Sequence, residues 1–422
     1  MTKSSRRPDI SELRTMAEQG NGEAAYRLGR RYRDGRGVTR NLKLAMIWFE
    51  RGAKYNYAPA QYRLGNCYAD GIGCLRDTQA ALRWYLVAAE QNYAPAQVAA
   101  AWCFQTGTGT DCDPAQAIIW YSAAANSGNA IAQFNLGEMY ARGDGVDRDF
   151  LAALRHYRNS AEQGYKKAQL NLSLMYASGV GAARDPIAAR EWCQRAAEQG
   201  YDKAQYNLGL MLSSGYGQRP DFEEAYDWFM QAARQGFAKA EYCLGMMYLG
   251  GQGVPYDVHL AIEWLERAAA HDDAKAQYQL AFMLESGEHI AQDNERALAL
   301  RHRAAEQGHP KAQYELGRMY IKQALAGQSH QDAAKWYERA AMQGYHRAQY
   351  ALGICYAKGV GVAKDAANAY SWMSLAAENG LRKAQYRIDK IERNIDPDAL
   401  RAGRRLAATY RSRIAEQRNG VS

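Results

Sequence analysis

The sequence lacks any CxxC pair, and its seven cysteines are odd in number, which fits free thiols in a reducing compartment better than a disulfide framework. It also lacks long apolar runs. The longest are a few residues, against the roughly 20 that span a bilayer, so no transmembrane helix is expected. The N-terminal stretch MTKSSRRPDISELRTMAEQG starts basic but never reaches the apolar region of a secretory signal, which makes the cytoplasm the expected location. HExxH, GxSxG, a P-loop and a GxGxxG opening a helix after a strand are all missing. His302 and His309 stand seven residues apart with no acid or cysteine at ligand spacing, so neither a metal nor a cofactor is expected. Enzymatic activity is not expected.

Charge is uneven. Residues 1–54 carry 13 Lys/Arg against 6 Asp/Glu, and residues 381–422 carry 11 against 5. With a total of +8, the 326 residues between them are five charges negative. A nucleic-acid protein more often gathers positive charge on one continuous face. Basic ends read more simply as solvated caps, and nucleic-acid binding through them is a distant alternative.

What the sequence has is repetition. AAYRLG at Ala24 recurs in related form at Ala60, Ala96 and every 36 residues to Ala384, with no insertion. Ten full repeats, 24–383, follow an N-terminal cap and half repeat (1–23) and precede a final half repeat with a basic capping helix (384–422). Alanine holds the columns of Ala24, Ala45 and Ala53, as close helix approach requires. Leu28 and Tyr32 begin the apolar stripe of a first helix. A Gly-x-Gly follows (Gly35 and Gly37), then a column of N-cap residues running from Asn41 through Asp77 and Asp221 to Ser329 and Asp365. That column opens a second helix carrying Trp48, Trp84 and six further tryptophans, with His156 and Leu300 in the same slot. Repeat 312–347 has Gln323 and Leu325 in place of its glycines and predicts a different turn there. In the tail, Asp396 is the expected cap of a last helix whose apolar face includes Ala407, Tyr410 and Ile414.

A 36-residue helical pair with A-x-A-Q-Y-x-L-G, G-x-G-V, Asp, A-x-x-W-Y and A-A-x-Q-G resembles the Sel-one-like repeat (SLR) family, relatives of the tetratricopeptide repeats. The resemblance covers about residues 11–394. It implies an all-α, right-handed α/α superhelical solenoid that serves as a non-enzymatic scaffold or regulatory adaptor for another protein. Bacterial members also occur as immunity or modulator proteins that neutralise a toxin or secreted effector, which is the alternative. Some secreted members carry cysteines eight residues apart. Here Cys67 and Cys74 are seven apart, and Cys103 and Cys112 nine.

Solenoids present their first helices on an extended binding surface. The columns beginning at Glu23, Arg27, Arg30 and Asp34 lie on one helix side and vary most. Asn135, Asn171 and Asn207 share one column, and an amide there both donates to and accepts from a peptide backbone. Trp102, Leu174, Leu210, Met246 and Phe282 share another and predict an apolar stripe. These eight residues are the expected partner-binding set, for a peptide or helix of another protein. No small-molecule substrate is expected.

Overall fold

In the computed structural model, residues 9–323, 328–393 and 395–420 are described. Among them 23 helices run from Ile10–Glu18 to Pro397–Gly420 without a strand. The chain divides into two compact units, one ending at Leu208 and the other starting at Gly209. Within each, a repeat's first helix packs on its second, and the second packs on the first helix of the next repeat. This is an α/α solenoid. Among the described residues no helix is long and apolar enough to cross a membrane.

The recurring polar letters build the helix boundaries. Asp77 Oδ1 accepts the Ala80 amide at 2.9 Å and Asp221 Oδ1 the Glu224 amide at 2.9 Å, each opening a second helix. The two turn glycines have different duties. Gly71, at φ +70°, ends the helix Ala58–Asp70 in the left-handed region. At Gly73, φ is +80° and a Cβ would stand 2.6 Å from the Leu42 carbonyl oxygen, so the turn touches the preceding repeat there.

Ser329 departs from its column. The helix Gln328–Met342 starts one residue before Ser329 and runs 15 residues where its counterparts run 12 or 13, so Ser329 is its second residue. The altered turn itself falls on residues 324–327, outside the described residues.

The Ala24 and Ala45 columns are buried in every repeat. A further small column, the glycine of each L-G pair, is where the second helix comes closest. A Cβ on Gly65 would lie 2.6 Å from the Tyr85 ring, and one on Gly209 2.6 Å from Phe229. Omitting the Cβ lets a whole side chain, aromatic in these two repeats and Leu265 or Met373 opposite Gly245 and Gly353, lie on the first helix's backbone, which is worth about 1.5–3 kcal/mol of apolar burial each time.

The tryptophan column is less buried than a core column. Trp48 and Trp372 are buried, but Trp192, Trp264 and Trp336 are half-buried, with the arginine three residues later closing a ring face at 4.3–4.6 Å.

The glutamine of A-x-A-Q-Y builds an amide ladder. Gln169 Nε2 donates to the Ala161 carbonyl at 3.1 Å, while its Oε1 accepts from Gln199 Nε2 at 2.8 Å. The same pair of bonds recurs at Gln277, with Ala269 and Gln307. One rung has different chemistry: Glu241 and His271 replace the two glutamines, with Oε2 and Nδ1 2.7 Å apart. Glu241 is fully buried, and its Oε1 lies 3.4 Å from an Arg267 nitrogen without forming a hydrogen bond. Glutamate lacks the amide NH2 with which the other members of its column donate to a carbonyl.

At the C-terminal end, Asp396 Oδ2 accepts the amides of Asp398 and Ala399 at 3.0 Å, as a cap should. The helix it opens stacks Tyr410 on Trp372 at 4.3 Å and donates from the Tyr410 hydroxyl to Asn368 Oδ1 at 3.0 Å. It covers an apolar end that would otherwise face water.

Candidate functional site

In the unit ending at Leu208, the first helices Ala58–Asp70, Ala94–Thr106 and Ala130–Arg142 line a groove of about 320 Å³. Trp102 and Asn135, both from the predicted set, stand on its walls with Asn66, Val98 and Ile131. Trp102 is 50% exposed and Ile131 45%. Tyr85 and Cys103 form part of the base. Burial pushes the Cys103 thiol up to about 11 and the Tyr85 hydroxyl well above the usual phenol range, so neither is poised for nucleophilic or acid–base work near neutral pH. Among the described residues no cluster of three or more His, Cys, Asp or Glu side chains is arranged to hold a metal ion.

Leu174 lies in the same unit at 43% exposure, outside the groove. In the unit starting at Gly209, Leu210 is 38% and Phe282 55% exposed, whereas Met246 is half-buried. The apolar column therefore faces solvent at four of its five predicted positions. Burial of such side chains on a partner is worth roughly 1.5–3 kcal/mol each before the cost of association.

The asparagines already have neighbours. Asn135 sits against the Tyr121 hydroxyl, Asn171 against that of Tyr157, and Asn207 Nδ2 donates to the Lys203 carbonyl at 2.7 Å. All three are half-buried. The Asn135 and Asn171 amides thus tie a first helix to the second helix before it, whereas that of Asn207 bonds within its own helix. Asn66, Val98 and Ile131 were absent from the predicted set. Ile131 stands in the variable column that opens with Glu23, where isoleucine replaces the charged residue or proline found in the other repeats, and that exception was the available signal.

Ten consecutive stretches of the chain, from 22–54 to 346–381, match the model of the Sel1 repeat. The chain belongs to the Sel1 repeat family. Its structure resembles that of c5321, a protective antigen present in uropathogenic Escherichia coli strains and displaying an SLR fold. The TM-score is 0.67 at 28% identity, over 98% of this chain and 97% of that one. A Sel1 repeat protein from Oxalobacter formigenes aligns at 31% identity over 74% of this chain and 90% of its own, with a TM-score of 0.60. The immunity protein Pa5087 from Pseudomonas aeruginosa covers 52% of this chain and 80% of its own at 23% identity and a TM-score of 0.35, a likeness too partial to bear on role. No curated protein matches the sequence. All seven cysteines of this Sel1 repeat protein are unpaired.

Proposed function

We propose that this Sel1 repeat protein is a non-catalytic interaction module that holds another protein on its first-helix face, acting in the cytoplasm. The observation that carries the reading is the exposure of Trp102, Leu174, Leu210 and Phe282 at one first-helix column, whereas the exposed apolar side chains of second helices, such as Ile119, Leu151 and Ile187, are spread over several columns. The groove beside Trp102 and Asn135 gives that face an anchor pocket. Unpaired cysteines support a reducing compartment.

The test is affinity capture of a tagged protein from its native lysate beside the double variant Leu174→Glu/Leu210→Glu. Both positions are open to solvent, so the variant is expected to keep the helical circular-dichroism signal while losing the wild-type partner at least tenfold. Equal capture by the two baits overturns the reading. A single partner held stoichiometrically favours a regulatory or neutralising role, and several partners favour a scaffold.

A further inference from the structure

In the unit starting at Gly209, the residue one place before the invariant alanine is Lys239, Lys275, Lys311, Arg347 and Lys383 in five successive repeats. All five are exposed, and among the described residues none forms an ion pair. Each is the second residue of its helix, as in Ala274–Ser286 and Pro310–Gln323. A cation there opposes the helix dipole, and an acid at that position would be worth about 0.3–1 kcal/mol per helix. Lys275 Nζ also stands 5.9 Å from the centre of the Tyr242 ring, an exposed contact worth about 0.5–1 kcal/mol at one position, so folding does not account for the row as a whole. Its field is felt nearby: burial, together with Lys311 and Lys275, holds His309 down to about 4.

Seven residues further along the same helices stand Met246, Phe282 and Ile354, which i, i+7 spacing puts on the same side as the cations. Ile354 also lines a pocket of about 400 Å³ with Met373 and Ile391, edged by Lys358, Lys364, Arg387 and Lys390 and by no acid. Apolar side chains thus run beside a continuous row of cations. A nucleic acid would find two exposed aromatics on these first helices, Phe282 and Tyr386, three repeats apart in sequence, where single-strand binders offer a series of stacking platforms.

We propose that this face binds an acidic segment of a partner protein that carries apolar residues between its carboxylates. The inference rests on the protein-binding reading above and specifies the partner's chemistry.

The experiment titrates full-length protein into three labelled peptides of about 18 residues: repeated Glu-Leu-Ser, repeated Gln-Leu-Ser and repeated Glu-Ser-Ser. Glu-Leu-Ser is expected to bind at least tenfold more tightly than either control, with an affinity that falls steeply with salt. Lys275→Glu/Lys311→Glu places acids where helix N-termini favour them, so it folds, and it is expected to weaken that peptide at least tenfold. Lys275→Ala/Lys311→Ala gives a smaller loss. Equal binding of Gln-Leu-Ser, no peptide binding, or an unchanged affinity in the charge-reversed variant overturns the proposal. Tighter binding of an oligouridylate also overturns it, in favour of a nucleic acid. If the peptides fail while Leu174→Glu/Leu210→Glu still loses the lysate partner, only the acidic chemistry falls. If both tests fail, the protein-binding reading falls with it.

Discussion

Gly137→Leu is expected to destabilise its repeat by more than about 3 kcal/mol, although leucine is intrinsically the better helix former by somewhat under 1 kcal/mol. Gly137 lies in the helix Ala130–Arg142, and a Cβ added there would stand 2.6 Å from Cδ1 and 2.7 Å from Cε1 of Tyr157, which is itself buried. A four-carbon side chain has nowhere to go unless the second helix moves away. Gly137→Ala is a milder case. One repeat earlier Ala101 already faces a fully buried Tyr121, whose hydroxyl donates to Gln105 Oε1 at 3.0 Å, so one methyl is tolerated once the ring settles differently. A loss of about 1 kcal/mol is expected for alanine. The double variant Gly137→Leu/Tyr157→Ala returns the space and should recover a large part of the leucine loss, a coupling that a mutant cycle isolates. Amide hydrogen exchange over 130–162 reads the effect repeat by repeat, which suits a solenoid whose contacts are mostly between neighbours. Unchanged protection in Gly137→Leu contradicts this account of the packing.

Glu285→Ala is expected to cost about 2–4 kcal/mol, and Arg301→Leu to be neutral or stabilising. Arg301 occupies the slot held by a fully buried Leu265 one repeat earlier, and its side chain is only 5% exposed. It reaches Glu285 Oε2 at 2.5 Å and Met319 Sδ at 3.2 Å, while its Nε is buried without a partner. Removing the carboxylate leaves a buried cation uncompensated. Glu285 is half exposed, so water reaches the site, and the loss falls short of that for a sealed pair. Replacing the arginine with leucine removes both the charge and the orphaned donor. Chemical denaturation of the two variants should move in opposite directions or leave Arg301→Leu unchanged. A larger loss for Arg301→Leu than for Glu285→Ala contradicts the ion-pair argument.

The sequence made the fold legible because a 36-residue register repeats the same physical signals. Asp77, Gly71 and the Ala24 column each have one duty that a single repeat suggests and ten repeats establish. The exposed column could be read for the same reason, since helical periodicity separates Trp102 and Leu174 from the leucines that pack. Other features were visible as letters without a legible role. The glutamine of A-x-A-Q-Y became a ladder only when its partner 30 residues later was seen to face it, and the glycine of L-G became a contact only beside the Tyr157 ring. Ser329 was misread because its column opens a helix in the other repeats, whereas here the helix starts one residue before it. The groove beside Trp102 draws on three repeats at once, a spatial grouping that no single column displays.

The central claim is that partner binding lies on the first-helix face, and hydrogen exchange on the full-length protein with and without its captured partner tests it most directly. The account predicts slowed exchange in first helices such as Ala94–Thr106, Lys166–Ser178 and Ala274–Ser286, with second helices such as Pro186–Glu198 little changed. Protection confined to the second helices would contradict it.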